Sequence, residues 1–203
     1  VENNKLCTPN IPTCINIDFA FQDCYFTYHE EDVQFLSELV LKNSAEATMI
    51  WFGKNYDSLK QELFSLTTWE VFVDEDSINK RIVKLDLNDL GISELPETSI
   101  GFIKKLRSLE LENNFISKLP DPITTLENLE ILQVYNNLLT EIPYYIGNLT
   151  SLVELYINNN QIKDLRETIG DLNNLKILYA QNNDLGSGPG FPDNFCLIIN
   201  NLD

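Results

Sequence analysis

The residues of this chain that could do chemistry are few, and their spacing decides against most of it. Glu110 and Glu112 lie two apart, which puts both carboxylates on one face of a strand, as a general acid and base pair would require. An open, solvated strand lacks the burial that drives the two pKa values apart, so the pair reads as surface charge. Gly186-Ser187-Gly188-Pro189-Gly190 has the glycine content of a phosphate-cradling loop, yet it opens no helix and carries no Lys, and it reads as an irregular loop. His29 is the only histidine, and the spacings between Cys7, Cys14 and Cys24 match no zinc pattern. The expectation is no catalytic residue, no cofactor and no metal.

What positions these side chains is a motif that returns five times, Leu-x-x-Leu-x-Leu-x-x-Asn-x-Leu, beginning at Ile82, Leu106, Leu129, Leu152 and Leu175. The period is one step of 24 residues and three of 23. A fixed period of this size predicts a solenoid, in which each copy buries its apolar side only against its neighbours. In the third copy the alternation around Leu132 and Val134 predicts a short strand with one face to water. Ile142-Pro143, then Ile146 and Leu149, predict a turn and a short helical or 3₁₀ return. The recurring Asn114, Asn137, Asn160 and Asn183 sit among aliphatics where the strand ends. An amide there can satisfy freed backbone groups, so they are expected to form a structural ladder starting at the second copy, because Leu90 holds this place in the first.

With the tails Leu119-Pro120 through Leu126 and Ile142-Pro143 through Leu149, these copies resemble the leucine-rich repeat family in its typical 23-residue type. The resemblance implies an α/β fold, a right-handed solenoid with a parallel concave sheet and short helical or 3₁₀ convex segments. It also implies a concave face that binds proteins or, less often, glycans. Arg166 replaces the Pro in the fourth copy, Gly186 to Gly190 loosen the fifth, and the plant-receptor tail Gly-x-Ile-Pro is absent.

Residues 29–81 should cap the open apolar end of the first copy, following an extension over 1–28 and preceding repeats over 82–203. Thr27-Tyr28-His29-Glu30 fits a capping box, with Val33, Leu36, Leu39 and Val40 at helical spacing behind it. A second short helix is expected from Ser58 to Leu66. Trp69, Val71 and Val73 alternate, Asp74 to Asn79 turn, and Arg81 leads into the first repeat strand, which predicts a β-hairpin. Trp51, Trp69 and Lys80 through Leu87 are similar to the N-terminal caps of extracellular leucine-rich repeat proteins, and the tryptophans are read as core anchors.

At 203 residues the chain buries about 70% of its unfolded surface without staples, so the cysteines speak to compartment. Cys7, Cys14 and Cys24 crowd one end, as expected of an oxidising environment. Cys7 with Cys14 is the first pairing to expect and Cys14 with Cys24 the alternative, while Cys196 reads as a buried thiol. No apolar run is long enough for a membrane span. The opening Val fits a removed signal peptide or a boundary within a longer chain, and Asn148-Leu149-Thr150 is a glycosylation candidate. Together these predict a secreted or cell-surface module, the alternative being an intracellular signalling scaffold. A net charge of −17 disfavours nucleic acid and anionic lipid and is compatible with a basic partner. Pro192, Phe195 and Cys196 resemble a repeat tail and Leu202 could open an incomplete sixth copy, so the apolar end at Leu197, Ile198 and Ile199 is expected to continue into a longer protein, the alternative being pairing with another chain.

Outward strand positions give one column, Asp86, Glu110, Gln133, Tyr156 and Tyr179, and a second, Asn88, Glu112, Tyr135, Asn158 and Gln181. At about 4.8 Å per strand they form a platform on the order of 20 Å across, sized for a peptide segment or a few sugar rings. Asp86, Asp89, Glu110 and Glu112 should gather near the cap, where they could hold a basic side chain. Tyr135, Tyr156 and Tyr179 should cluster beyond them with Asn158, Asn159 and Gln181.

Overall fold

The computed structural model describes residues 27–43, 67–74 and 77–186. Four short strands, β4 (Ser108–Glu110), β5 (Ile131–Gln133), β6 (Glu154–Tyr156) and β7 (Ile177–Tyr179), stack in parallel beside the longer β3 (Ser77–Asp86). Register keeps equivalent residues level: Leu85, Leu109, Leu132, Leu155 and Leu178 face one another in turn. Each inward leucine therefore packs on its own counterpart, and complete burial of one such side chain contributes about 1.5–3 kcal/mol. The core runs unbroken from Leu85 through Leu109 and Leu132 to Leu175.

The return segments are 3₁₀ turns at Ser99–Phe102, Asp121–Thr125, Ile146–Asn148 and Glu167–Asp171. Pro120 enters its turn at φ −64 and ψ 140, and Arg166 enters the equivalent turn at φ −53 and ψ 148. The loss of Pro in the fourth copy thus leaves the path unchanged, because Arg166 adopts the conformation that a proline ring would impose.

The buried asparagines form the expected ladder from the second copy. Asn114 Nδ2 donates to the carbonyls of Leu87 (2.8 Å) and Leu111 (3.0 Å), while its Oδ1 accepts from Ile92 N at 2.9 Å. Asn137, Asn160 and Asn183 repeat this between their own copies. Each amide satisfies backbone groups of two neighbouring copies, which is why a polar residue belongs at that apolar position.

Helix α1 (Glu30–Asn43) covers the first copy with Phe35, Leu36 and Leu39. Helix α1 starts two residues later than a capping box opened by Thr27 would place it. Thr27–Tyr28 is instead β1, paired in parallel with Asn79 and Lys80, and the helix starts from His29, whose carbonyl accepts from Asp32 N and Val33 N. Sheet pairing holds the Thr27 backbone out of capping reach. Asp32 is fully buried and accepts from Arg81 Nη2 at 3.0 Å and from Ile82 N at 2.7 Å. At the other helix end Asn43 bridges to Ser93 N and the Glu94 carbonyl.

The expected hairpin is present as β2 (Thr67–Asp74) antiparallel to β3, with a bulge between Thr68 and Trp69. It is tighter than the Asp74 to Asn79 turn predicts, because pairing reaches Asp74 with Ser77 and β3 continues without a break into the first repeat. The Ser58 to Leu66 helix, Trp51, Cys7, Cys14, Cys24, Cys196 and the partial sixth copy lie outside the described residues. Among the described residues no helix is long and apolar enough to cross a membrane.

Candidate binding face

Outward residues of the parallel strands stand in the predicted columns, since Asp86 is level with Glu110, Glu110 with Gln133, Gln133 with Tyr156 and Tyr156 with Tyr179. The second column follows two residues later, where Asn88 Oδ1 accepts from Glu112 N at 2.8 Å. A third column, Lys84, Ser108, Ile131, Glu154 and Ile177, lies on the other side of the first and was missed in the sequence. The same alternation that gave the others reaches it, two residues upstream.

This third column changes the electrostatics. Lys84 Nζ lies 2.6 Å from Glu110 Oε1, and Ser108 Oγ donates to the same oxygen at 3.0 Å. The hydrogen bond to Glu110 pushes the Lys84 amine above its ordinary value. The Glu112 carboxylate beside the Tyr135 hydroxyl, with burial and the charges of Asp89 and Glu110, pushes the phenol up to about 12. Two of the four acids expected to meet a partner are therefore engaged within the face.

The tyrosines divide into two groups. Tyr156 and Tyr179 stack with ring centroids 5.2 Å apart and planes at 23°, and Tyr156 Oη donates to Glu154 Oε2 at 2.9 Å. Burial first, then this bond, raises the Tyr156 phenol. Tyr135 stands in the next column with Asn158 and Gln181, beside the Glu112 carboxylate. Beside the stacked pair, Ile131 and Ile177 are half-buried and Tyr179 is 47% exposed.

A second line of asparagines borders this face. Asn113, Asn136, Asn159 and Asn182 all have φ between 54° and 57°, the left-handed turn that ends each strand. Asn136 Nδ2 donates to Asn113 Oδ1 at 2.7 Å, Asn159 to Asn136 at 2.6 Å and Asn182 to Asn159 at 2.6 Å. Asparagine tolerates this backbone better than other side chains do. The Asn-Asn doublet recurring at 23 residues was the available signal. Next to the line, Phe115 and Leu138 occupy equivalent places in adjacent copies and are 60% and 43% exposed.

Glu110 and Glu112 lie on this open sheet. A depression of about 390 Å³ lies elsewhere, on the flank, between Leu95, Thr98, Lys118 and Pro122. The acids and that depression do not combine into a cleft where a nucleophile and base converge.

A family model described as leucine-rich repeat region matches residues 80–189, more than half of the chain. The sequence matches no curated protein. Among solved structures, the ectodomain of the receptor kinase SOBIR1 from Arabidopsis thaliana is 14% identical with a TM-score of 0.63, covering 83% of this chain and 98% of that one. The ectodomain of the plant membrane receptor kinase GASSHO1/SCHENGEN3 from Arabidopsis thaliana, in complex with CASPARIAN STRIP INTEGRITY FACTOR 2, is 22% identical with a TM-score of 0.59, covering 83% and 20%. An internalin, inlF, of Listeria monocytogenes is 27% identical with a TM-score of 0.50, covering 60% and 33%. The chain thus spans a third of the internalin's length and a fifth of the GASSHO1 chain's.

Proposed function

Because this chain belongs to the leucine-rich repeat family, its repeats matching over residues 80–189, we propose that it is a non-catalytic binding module whose concave face takes a protein or peptide segment. The observation that carries this is the stacked Tyr156–Tyr179 pair beside half-buried Ile177, bordered by Asn158 and Gln181, whose amides make no hydrogen bond within the described residues. Stacking takes one face of each ring and Glu154 takes the Tyr156 hydroxyl, which leaves ring edges and the exposed Tyr179 outward. That favours apolar side chains and backbone amides of a peptide over sugar rings, which need open aromatic faces. Asp86 and Asp89, left over once Lys84 holds Glu110, give the cap end a preference for a basic residue.

The module acts outside the cell in this reading. Support comes from the cysteines Cys7, Cys14 and Cys24 and from the likeness of the cap residues to extracellular members of the family. The receptor ectodomains share the fold, and one was solved with a bound partner.

The test is retention of a partner from secreted and surface fractions of the source, using the wild type and a Tyr156→Ala, Tyr179→Ala double variant. The wild type should retain a partner that the variant releases, with thermal unfolding nearly unchanged. Equal retention by both would move the site off this face. Alkylation by a thiol reagent that adds the same mass to the native protein as to the reduced protein would remove the disulfide and count against the extracellular reading.

A further inference from the structure

Asn148 opens the only Asn-x-Ser/Thr triplet in the chain, Asn148-Leu149-Thr150. It closes the 3₁₀ turn Ile146–Asn148 with its side chain exposed. Its neighbours in the same connecting segments are committed: Asn128, Asn173 and Asn174 donate to the carbonyls of Lys104, Asp171 and Thr150. Thr125, one copy before Asn148, donates to the Pro122 carbonyl at 2.8 Å. The Asn148 side-chain amide makes no hydrogen bond within the described residues, and Thr150 is exposed with only its backbone engaged.

Four and three residues before the acceptor stands an exposed aromatic pair. Tyr144 and Tyr145 are 55% and 58% exposed and meet edge to face, with ring centroids 4.9 Å apart at 81°. That arrangement leaves every ring at least one open face. Asn148 N donates to the Tyr145 carbonyl at 3.0 Å, which fixes both residues on one turn.

We propose that Asn148 carries an N-linked glycan whose first N-acetylglucosamine packs its C–H face on the Tyr145 ring. The inference rests on the extracellular reading for its natural setting, since the donor is a lipid-diphosphate-linked oligosaccharide of the secretory route. In the transfer a bond forms between Asn148 Nδ2 and sugar C1, the C1–O bond to the diphosphate breaks, and one amide proton leaves, with no change of oxidation state. The turn lies on the side away from β6 and β7, so the glycan covers the convex surface and leaves Tyr156 and Tyr179 clear.

The chain, led into the secretory route of a eukaryotic host, should leave the cell with one glycan, and peptide N-glycosidase should remove it while converting residue 148 to Asp. Asn148→Gln and Thr150→Ala should each abolish it. A folded, secreted wild type with bare Asn148 would overturn the site. After trimming to the first sugar, the glycosylated wild type should melt at a higher temperature than the deglycosylated one, and Tyr145→Ser should erase that difference. An equal difference in both would overturn the packing on Tyr145. Asn148→Gln should leave partner binding by the concave face intact, so the binding module and the glycan site fail independently.

Discussion

Asn136 donates to Asn113 at 2.7 Å across two copies, and the residue after it, Asn137, turns inward to hold Leu111 and Ile116 by their backbones. Adjacent asparagines thus do opposite work, one exposed on a left-handed turn and one buried. Asn137→Ala leaves the buried Ile116 N–H without a partner, at about 1–3 kcal/mol, and takes one of two donors from the Leu111 carbonyl, which keeps Asn114 Nδ2. We expect a loss on the order of 2 kcal/mol in denaturant unfolding. Asn136→Gly should change stability by a few tenths of a kcal/mol, because glycine adopts the same backbone freely. Equal losses at 136 and 137 would contradict this division of labour.

Asp32 and Arg81 join helix α1 to the first repeat through a two-point ion pair, with Arg81 also donating to the Phe102 carbonyl at 3.1 Å. Burial pushes the Asp32 carboxyl up, against the pull of Arg81 and of Ile82 N–H. Removing one partner strands the other in the core, so Arg81→Met should cost about 3–5 kcal/mol. Hydrogen exchange should show α1 losing protection more than the strands from β5 onward. Protection lost evenly along the chain would mean that the pair does not act as a local clamp.

The repeat was legible because a strand's side-chain period is two and the copy length is fixed, so Leu109, Leu132 and Leu155 could be placed against one another from the sequence alone. The buried asparagines were legible for the same reason. Lys84 was not, because the count of outward positions began one step too late, and with it went the partner of Glu110. Asp32 was hidden among Glu30 and Glu31, where an acid in a first helical turn reads as a complement to the helix dipole. Its burial depends on Arg81, 49 residues away, and no local pattern carries that. Thr27 misled because a local capping signal competes with strand pairing, and the pairing partner lies in a hairpin far along the chain.

Gly147 is buried where two 3₁₀ turns meet. A Cβ there would run into the Thr168 carbonyl and stand 2.8 Å from Asp171 Cβ, with backbone rather than a movable side chain in the way. Gly147→Ala should therefore destabilise by overpacking, about 1–3 kcal/mol, despite the higher helix propensity of alanine. Thermal unfolding of Gly147→Ala decides it: an unchanged or higher midpoint would show that the turns can separate without loss.

Tyr135 and Glu112 make the stability of the repeat array sensitive to alkaline pH. The phenol ionises at about 12 when folded, against an ordinary value of 10.0, chiefly because the Glu112 carboxylate lies beside it. Between those values the folded protein keeps a proton that the unfolded chain has lost. Unfolding then releases it, and stability falls as pH rises. The contribution is complete below pH 10 and gone by about pH 12. Tyr156 shifts in the same direction, so a variant lacking Tyr135 alone should retain part of this slope. Tyrosinate absorbance of the folded wild type should therefore lag behind that of the unfolded chain. Tyr135→Phe should reduce the pH dependence of unfolding, and Glu112→Gln should return the Tyr135 titration towards 10. A Glu112→Gln protein with the wild-type titration curve would show that burial, and not the carboxylate, holds the proton.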